Sequence, residues 1–428
     1  PGHQTPCFIR SFNYPLQLHR FTQSSRSYIC HILIHYTASL TQLSVRLESE
    51  NTTENTKQTH CYKEECYCEE TEAYEWNVYN SANQKTEWLD LVMVKKKTRA
   101  PRNRTVTVED SERQSLLSQI VKVETLNDAS QLYNRVANGK FEDALPFITD
   151  KSIDLLILDP PYNLNKTFNS LKFSKTSVAG YAEYLDDLLS KVVQKLKDTA
   201  SVYICGDWLS SVSIYQAASK LFTVQNRITW EREKGRGAKT NWKNCSEDIW
   251  FCTVSNNYTF NVEDVRVRRT VIAPYKVDGE PKDWVDSNAG KFRDTAPSNL
   301  MSDITIPFWS MPENTDHPTQ KSEKLITKLV LASSNKGDLV CDPFLGSGTT
   351  AVVCDKLNRN YIAIEVDEGY CLCAQKRLEM ASKDKSIRGY TDGVFWERNS
   401  LSLQKGKKDK EASDASEKLG ESHSLFDI

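Results

Sequence analysis

The feature that most constrains the fold of this chain is an alternation of apolar runs with helical patterns across residues 114–382. Residues 152–159 (SIDLLILD) and 201–207 (SVYICGD) are nearly continuous apolar runs, which is typical of strands buried on both faces of a parallel sheet. Between them, residues 181–196 carry apolar side chains at helical spacing. Strands that alternate with helices of this length predict right-handed βαβ units, and so an α/β fold with a doubly wound, mostly parallel sheet.

The same alternation continues through the second half of the chain. Further strands are predicted at residues 222–231, 337–344 and 360–367, and helices at residues 322–334, 349–357 and 369–382. Residues 232–311 do not fit the pattern, because glycines, charges and aromatic side chains follow one another there without a period. We therefore predict a loop-rich insertion in this stretch rather than part of the sheet core.

The two ends of the chain differ from its middle. Residues 1–92 are rich in Thr, Gln, Asn and His and contain no methionine, whereas Met93 is followed by a basic run. We interpret residues 1–92 either as an upstream extension, non-native or disordered, or as an accessory domain. Residues 93–130 are predicted to be a basic linker with a lead-in helix, and the charged residues 405–428 are predicted to be disordered.

Composition excludes several classes of protein. The chain of 428 residues has 55 Lys and Arg against 57 Asp and Glu, which excludes a globally cationic binder and is compatible with a local basic face. No apolar run approaches the roughly 18 residues that a membrane helix needs. Twelve cysteines without a CxxC pair indicate reduced thiols inside a cell. Cys61, Cys66 and Cys68 fit no common zinc spacing, so no metal site is predicted.

The sequence Asp159-Pro160-Pro161-Tyr162 directly follows a predicted buried strand. Two consecutive prolines restrict the backbone and make the loop stiff, and open α/β sheets bind their ligands at such strand ends. The Asp159 carboxylate and the proline carbonyls are acceptors, and Tyr162 supplies a flat ring. This combination suits a planar base with an exocyclic amine. For the loop taken alone, a proline-stiffened turn capped by the aspartate is the alternative.

Residues 342–350 (DPFLGSGTT) form a second loop, between a predicted strand and a predicted helix. Gly346 and Gly348 allow backbone N–H groups to approach a ligand closely, and a helix N-terminus favours negative charge. The third glycine of a dinucleotide fingerprint is replaced by Ala351. Glu365 ends the next strand 19 residues after Gly346, the distance expected for a carboxylate that binds a ribose hydroxyl. The loop is predicted to be a nucleoside half-site, with a tight packing turn as the alternative.

Together these motifs resemble those of the DNA amino-methyltransferases that use S-adenosylmethionine. DPPY at residues 159–162 precedes DPFLGSGTT at residues 342–350, which is the order found in the β-class of that family. The sequence HPTQK at residues 317–321 resembles a third motif of the family. The resemblance covers roughly residues 130–382, and it implies a Rossmann-like methyltransferase fold with S-adenosylmethionine as the cofactor.

The resemblance also implies roles for individual residues. Asp159 and the Pro160 carbonyl would hold the target amine, Pro161 completes the catalytic loop, and Tyr162 would stack on a base flipped out of the duplex. The residues matched to cofactor binding are Asp342, Phe344, Gly346, Ser347, Gly348, Thr349 and Glu365, with Gln320 and Lys321 near the cofactor's carboxylate.

Two positions depart from the family pattern. Ser322 replaces the proline that usually ends the third motif, and Lys140 stands where the family often has an aspartate near the cofactor's adenine. Either the adenine is held otherwise, for example against Phe141, or the affinity for the cofactor is reduced.

The implied methyltransferase domain spans residues 131–404. It divides into a catalytic half (131–231), a target-recognition insertion (232–311) and a cofactor half (312–404). Residues 227–276 carry ten Lys or Arg against six Asp or Glu, with tryptophans between them, which suits a phosphate-lined path to a flipped base. A solvated loop with ordinary charge is the alternative. The predicted DNA-binding residues are Arg232, Lys234, Arg236, Lys239 and Lys243.

DPPY is the form typical of adenine-N6 enzymes in the family. The resemblance therefore implies methyl transfer to the N6 amine of a flipped adenine in double-stranded DNA. The alternatives are cytosine N4, an RNA substrate, and a catalytically silent DNA-binding subunit. Double-stranded DNA is the expected partner, and a homodimer and a cognate restriction endonuclease are open alternatives to a solitary enzyme; no membrane is expected. We expect a cytoplasmic, nucleoid-associated protein in a prokaryote, or a nuclear one in a eukaryote.

Overall fold

The chain forms two compact units in the computed structural model, Pro1–Pro101 and Arg102–Ile428. The described residues are strands within residues 19–95 and the ranges 100–168, 171–232, 240–271, 275–287 and 290–398. The strands of the first unit are β1 (His19–Gln23), β2 (Arg26–Thr37), β3 (Leu40–Glu50), β4 (Tyr74–Asn80) and β5 (Leu89–Lys95). Antiparallel pairing joins β1 to β2, β2 to β3 and β4 to β5. The three neighbouring cysteines at 61, 66 and 68 and the tail 405–428 lie outside the described residues.

The second unit alternates strands with helices. Its strands up to residue 253 are β6 (Val121–Lys122), β7 (Arg135–Asn138), β8 (Ile153–Leu158), β9 (Lys166–Phe168), β10 (Leu171–Phe173), β11 (Leu196–Gly206), β12 (Thr223–Glu231) and β13 (Ser246–Thr253). The later strands are β14 (Val267–Thr270), β15 (Lys276–Val277), β16 (Glu280–Pro281), β17 (Val285–Ser287), β18 (Gly290–Thr295), β19 (Leu300–Met301), β20 (Leu339–Asp342), β21 (Asn360–Glu365), β22 (Tyr390–Thr391) and β23 (Val394–Trp396). The α-helices are α1 (Asp110–Leu117), α2 (Phe141–Ala144), α3 (Val178–Val192), α4 (Ser211–Leu221), α5 (Glu323–Ser333), α6 (Thr349–Leu357) and α7 (Glu368–Lys383).

Nine of the described strands form one sheet, in the order β19-β12-β13-β11-β8-β20-β21-β7-β6. Six consecutive strands of this sheet are parallel to one another, namely β11, β8, β20, β21, β7 and β6. By contrast, β13 is antiparallel to both β11 and β12. The fold is therefore α/β with a mostly parallel sheet, as the alternating pattern predicts.

Helices cover both faces of this sheet. On β8, Leu155 and Ile157 pack into the core that holds buried side chains of α5, α6 and α7. Leu156 and Leu158 point to the other face and pack with buried side chains of α3 and α4. Because both faces are covered, polar residues do not alternate with apolar ones along β8. This explains the continuous apolar run from which the strand is predicted.

The centre of the sheet brings the two motif loops together. The chain passes from β8 through α3 to β11 on one side, whereas β20 on the other side of β8 leads through α6 to β21. Neighbouring parallel strands whose connections diverge leave a crevice at their carboxyl ends, where α/β proteins bind ligands. Residues 159–162 follow β8 and residues 343–348 follow β20, so both loops lie at this crevice.

The elements predicted around the motifs are confirmed, with ends shifted by a few residues. One stretch differs from its prediction, since residues 246–253 of the insertion form β13, a core strand of the main sheet. Ile249 and Cys252 of this strand are fully buried. Polar and charged residues around this strand make it difficult to recognise in the sequence. In the fold, β11 and β12 supply its hydrogen bonds on both sides. The insertion also contributes β14, β17 and β18 to a five-stranded sheet with β22 and β23.

Candidate active site

The catalytic loop, Asp159–Tyr162, is held by side chains from the segments that follow it. The hydroxyl of Tyr181 on α3 donates to the Pro161 carbonyl at 3.0 Å. Asn163 receives the Thr176 backbone N–H at 2.7 Å and donates through its amide to the Thr176 carbonyl at 3.0 Å. The loop is therefore fixed by its prolines and by hydrogen bonds at its end, and the Pro161 carbonyl is already engaged.

Both carboxylate oxygens of Asp159 have hydrogen-bond donors. The Tyr162 hydroxyl donates to Oδ1 at 3.0 Å, and the Lys321 ammonium donates to Oδ2 at 2.5 Å. Lys321 Nζ also lies 3.1 Å from the Tyr162 hydroxyl oxygen. Burial, with the neighbouring Asp159 charge, raises the pKa of Tyr162 well above its usual value, so Tyr162 stays a neutral donor. Lys321 thus joins the catalytic loop to the HPTQK segment.

A second buried carboxylate lies behind Lys321. Glu247, on β13, has Oε2 at 3.5 Å from Lys321 Nζ, and the side chains of the pair are 4% and 7% exposed. Arg232 forms an ion pair with Oε1 of the same glutamate. The Arg232 guanidinium also lies 5.4 Å from the ring centre of Trp230. Charges of alternating sign therefore run from the catalytic loop into the start of the insertion.

The HPTQK segment is tied to its own surroundings. Gln320 Oε1 accepts from the backbone N–H and the hydroxyl of Thr315, both at 2.8 Å, and its amide donates to the Glu313 carbonyl at 2.6 Å. Ser322 is the N-cap of α5, where its hydroxyl accepts from the backbone N–H of Lys324. A serine in this position caps the helix with a side-chain acceptor, which explains how the fold tolerates the departure from proline.

The glycine loop uses two left-handed residues for two different purposes. Gly346, with φ +56°, donates its N–H to Glu365 Oε2 at 2.8 Å. Gly348, with φ +92°, lies against α7, where an added Cβ would be 2.6 Å from the Cβ of Ala374 and 2.7 Å from its Cα. Gly346 therefore orients the loop toward the end of β21, and Gly348 permits close packing of α6 on α7.

Two carboxylates, the buried Asp342 and the partly buried Glu365, organise the cofactor half through backbone N–H groups. Asp342 Oδ1 accepts from the Phe344 N–H at 3.0 Å, and Glu365 Oε1 accepts from the Asp367 N–H at 2.8 Å. Burial raises the pKa of Asp342 to about 7, and burial also raises the pKa of Glu365. A third side chain, Ser347, has a buried hydroxyl with no hydrogen-bond partner among the described residues.

One cavity of about 590 Å³ connects the two loops. It is lined by every predicted catalytic and cofactor-binding residue except Gly348, whose place is between α6 and α7. Lys140 and Phe141, in the segment that differs from the family pattern, also line the cavity, although Phe141 is only 3% exposed. The structure thus brings together predicted catalytic and cofactor-binding residues that are up to 206 positions apart in the sequence, from Asp159 to Glu365.

The predicted DNA-binding residues fall into three groups. Arg232 is half-buried and paired with Glu247. Lys243 is exposed, and the neighbouring Trp242 is 94% exposed. Lys234, Arg236 and Lys239 lie outside the described residues. Arg232 therefore contacts the charged network behind the catalytic loop, and Lys243 is a surface cation.

Sequence reasoning missed residues that carry no motif. Glu247 belongs to no motif, since it lies on a strand within the predicted insertion and reaches the site through the pairing of that strand with β11 and β12. Tyr181 and Tyr184 are read only as parts of a helix, yet Tyr184 lines the cavity and the two rings are 5.8 Å apart. Asn163 directly follows DPPY, so its position next to the motif could have indicated its role in holding the loop.

The residues present fit a nucleoside with a charged tail. The volume is within the several hundred Å³ usual for cofactor sites. Loop backbone and the Ser347 hydroxyl, which has no hydrogen bond within the described part of the chain, offer polar groups, and the Glu365 carboxylate lies beside them. Asp159 and Tyr162 line the same cavity with an acceptor and a ring. The fold and this pairing of loops define a Rossmann-like methyltransferase.

Comparison with known proteins identifies the family. The family model described as DNA methylase, for N6 and N4 methyltransferases, matches residues 153–376. DNA adenine methyltransferase YhdJ of Escherichia coli (strain K12) is 32% identical over 255 residues, which cover 58% of this chain and 83% of that protein. The chain belongs to the N6/N4 family of DNA methylases, and it is an S-adenosylmethionine-dependent DNA methyltransferase.

Other similar proteins carry related names. Type II methyltransferase M1.MboII of Moraxella bovis is 32% identical over 253 residues, covering 55% of this chain and 93% of that protein. Among solved structures, PvuII DNA methyltransferase (cytosine-N4-specific) is 16% identical with a TM-score of 0.43, covering 59% of this chain and 90% of that chain. No helix in the described part of this chain has the length and apolar character needed to cross a bilayer.

Proposed function

We propose that this enzyme transfers the methyl group of S-adenosylmethionine to the N6 amine of an adenine flipped out of double-stranded DNA. The observation that carries the proposal is that Asp159 lines the same cavity as the loop after β20, with its carboxylate hydrogen-bonded to the Tyr162 hydroxyl. The aspartate form of the loop and the adenine named for the similar Escherichia coli enzyme support adenine as the base.

The chemistry requires a poor nucleophile to be positioned, because the lone pair of an exocyclic amine is delocalised into the ring. Asp159 and the Pro160 carbonyl accept the two amine hydrogens, which favours a pyramidal nitrogen with a directed lone pair. The Tyr162 ring stacks on the flipped base, with its hydroxyl held by Asp159. When bound, S-adenosylmethionine supplies an electrophilic methyl group. The nitrogen then releases one proton, for which the Asp159 carboxylate is the adjacent acceptor.

The cofactor half has a separate task. Asp342, Glu365 and the loop glycines shape the backbone that receives the nucleoside and methionine parts, while Ser347 offers its hydroxyl. Gln320 supports the cofactor half in a fixed position, because its amide group is hydrogen-bonded to Thr315 and Glu313. In this proposal Lys321 contacts the catalytic loop rather than serving the cofactor alone.

The insertion, residues 232–311, is proposed to contact DNA. Exposed Lys243 and the basic residues before it offer sequence-independent phosphate contacts. The type II names of several relatives support a cognate restriction endonuclease as the partner in a modification system, and a homodimer belongs to the same proposal. A DNA substrate places the enzyme with the nucleoid in the cytoplasm of a prokaryote or in a nucleus.

The test is methyl transfer from labelled S-adenosylmethionine to unmethylated genomic DNA, followed by mass spectrometry of the nucleosides. We expect N6-methyldeoxyadenosine in the product. N4-methyldeoxycytidine would keep the reaction and correct the base. Label in RNA alone, or cofactor binding without turnover on any DNA, would overturn the proposal in favour of another substrate or a silent subunit.

A further inference from the structure

The Asp159 carboxylate is paired with a cation before any base arrives. Lys321 Nζ lies 2.5 Å from Oδ2, and Tyr162 holds Oδ1. A carboxylate bonded to an ammonium is a weaker acceptor for a further donor, and the ammonium opposes positive charge that develops on a nearby nitrogen. Efficient methylation therefore requires Lys321 to loosen its hold on Asp159 when the target amine binds.

Glu247 offers an alternative partner for the same ammonium. Its Oε2 atom is buried, has no hydrogen bond within the described residues and lies 3.5 Å from Lys321 Nζ. Closing that gap to a charged hydrogen bond of about 2.8 Å needs only a rotation within the flexible lysine side chain. The Oε1 atom of Glu247 is held by Arg232, so the glutamate itself stays in place.

We propose that Glu247 is a positioning residue of the methyl transfer step, which receives the Lys321 ammonium when the exocyclic amine docks on Asp159. Glu247 acts through Lys321 and touches neither the base nor the cofactor. The exchange leaves the network neutral, because Arg232 and Lys321 balance Asp159 and Glu247. This inference rests on the proposed function of the same site.

The position of each group in the fold supports this division of labour. The Asp159 side chain is 20% exposed and can meet a substrate, whereas Glu247 is reached only from inside the protein. Glu247 also lies on a core strand that is paired on both sides, so its carboxylate is a fixed point toward which the flexible Lys321 can move. A buried acceptor oxygen without a hydrogen bond is costly, and exchange of Lys321 would satisfy it during the reaction.

The experiment measures single-turnover methylation of DNA by the full chain and by the variants Glu247→Gln, Glu247→Asp and Lys321→Met, together with the double variant. We expect Glu247→Gln to lower the rate by about 10- to 100-fold while the Kd values for DNA and cofactor change less than about 3-fold. Glu247→Asp, which keeps the charge, should recover part of the rate. In the Lys321→Met background, Glu247→Gln should change the rate by less than about 3-fold, because the ammonium that Glu247 receives is absent.

Asp248→Asn is the matched control, since Asp248 is the next buried carboxylate on β13 and accepts from Ser211 and Thr229 instead. Its rate should stay near that of the wild type, and melting temperatures monitor folding of every variant. Equal rates for wild type and Glu247→Gln, or effects of Glu247→Gln and Lys321→Met that multiply, would overturn the inference. A wild-type enzyme that methylates no DNA would instead overturn the proposed function.

Discussion

The two loops at the crevice reach rigidity in opposite ways. The catalytic loop after β8 is stiffened by two prolines and presents side chains, namely the Asp159 carboxylate and the Tyr162 ring, which are bonded to each other at 3.0 Å. The loop after β20 depends on glycines in left-handed conformations and exposes its backbone, with the Gly346 N–H bonded to Glu365. The two prolines of the first loop have no backbone N–H, whereas the second loop uses a backbone N–H to bind Glu365.

This difference corresponds to the two ligands. In the proposed function a flipped base is held through its amine hydrogens, so acceptors and a ring at fixed positions suffice there. A nucleoside cofactor with a charged tail needs close approach of the main chain, which a Cβ would prevent. Substitutions in the first loop should therefore affect the chemical step, whereas substitutions in the second should affect cofactor affinity and stability.

The largest expected effect is that of Asp159→Ala. Removal of the carboxylate eliminates the acceptor for the amine, so we expect kcat to fall by at least about 10³-fold. Cofactor affinity, measured by calorimetry, should change little, because the cofactor is proposed to be held by the loop after β20 and by Glu365 rather than by Asp159. Methylation by this variant at the wild-type rate would show that the loop has another role.

Gly348→Ala tests the backbone loop. The new Cβ would meet the main chain of α7 at 2.7 Å, at a position with φ +92°. We expect a loss of about 3 kcal/mol in the free energy of unfolding, together with weakened cofactor binding. Gly337→Ala is the matched control, since Gly337 has φ +85° and no atom within 4 Å of the added Cβ. Equal losses for the two variants would mean that backbone strain alone, without the contact to α7, accounts for the effect.

Asp342 should make stability depend on pH. Its pKa is raised by burial from 3.8 to about 7, so the folded state binds a proton that the unfolded state has lost. Between pH 4 and pH 7 this group therefore lowers stability as the pH rises. Asp342→Asn keeps an acceptor for the Phe344 N–H, and its stability relative to wild type should grow across that range by about 3 kcal/mol. Urea unfolding at several pH values measures the free energy of unfolding of both proteins. A difference between variant and wild type that stays constant with pH would contradict the prediction.

Glu365→Gln has the smallest expected effect. The amide keeps one oxygen for a backbone N–H but places an NH₂ group against the other, so either the Gly346 or the Asp367 bond is lost. We expect cofactor affinity to fall about 10-fold with kcat at saturating cofactor nearly unchanged. A selective loss of kcat instead would erase the distinction between the two loops.

Much of the fold could be predicted because local signals agree with it. The apolar run of β8, the helical periods of α3 and α5 and the glycines before α6 all have short-range causes, and their elements are confirmed. The strand at Ser246–Thr253 could not be predicted in the same way. Its apolar run at residues 249–252 is short and follows charged residues in a stretch without a period, and its place between β11 and β12 is set by pairing within the sheet.

The sequence by itself determined the family and indicated the candidate site residues, because DPPY, HPTQK and the glycine loop are contiguous motifs that can be recognised without coordinates. Only the tertiary structure decided how they act on one another. Lys321 meets Asp159 across 162 positions, and Glu247 reaches Lys321 from a strand without a motif. Such contacts are set by the order of strands in the sheet and by the burial of charges, neither of which a linear pattern encodes.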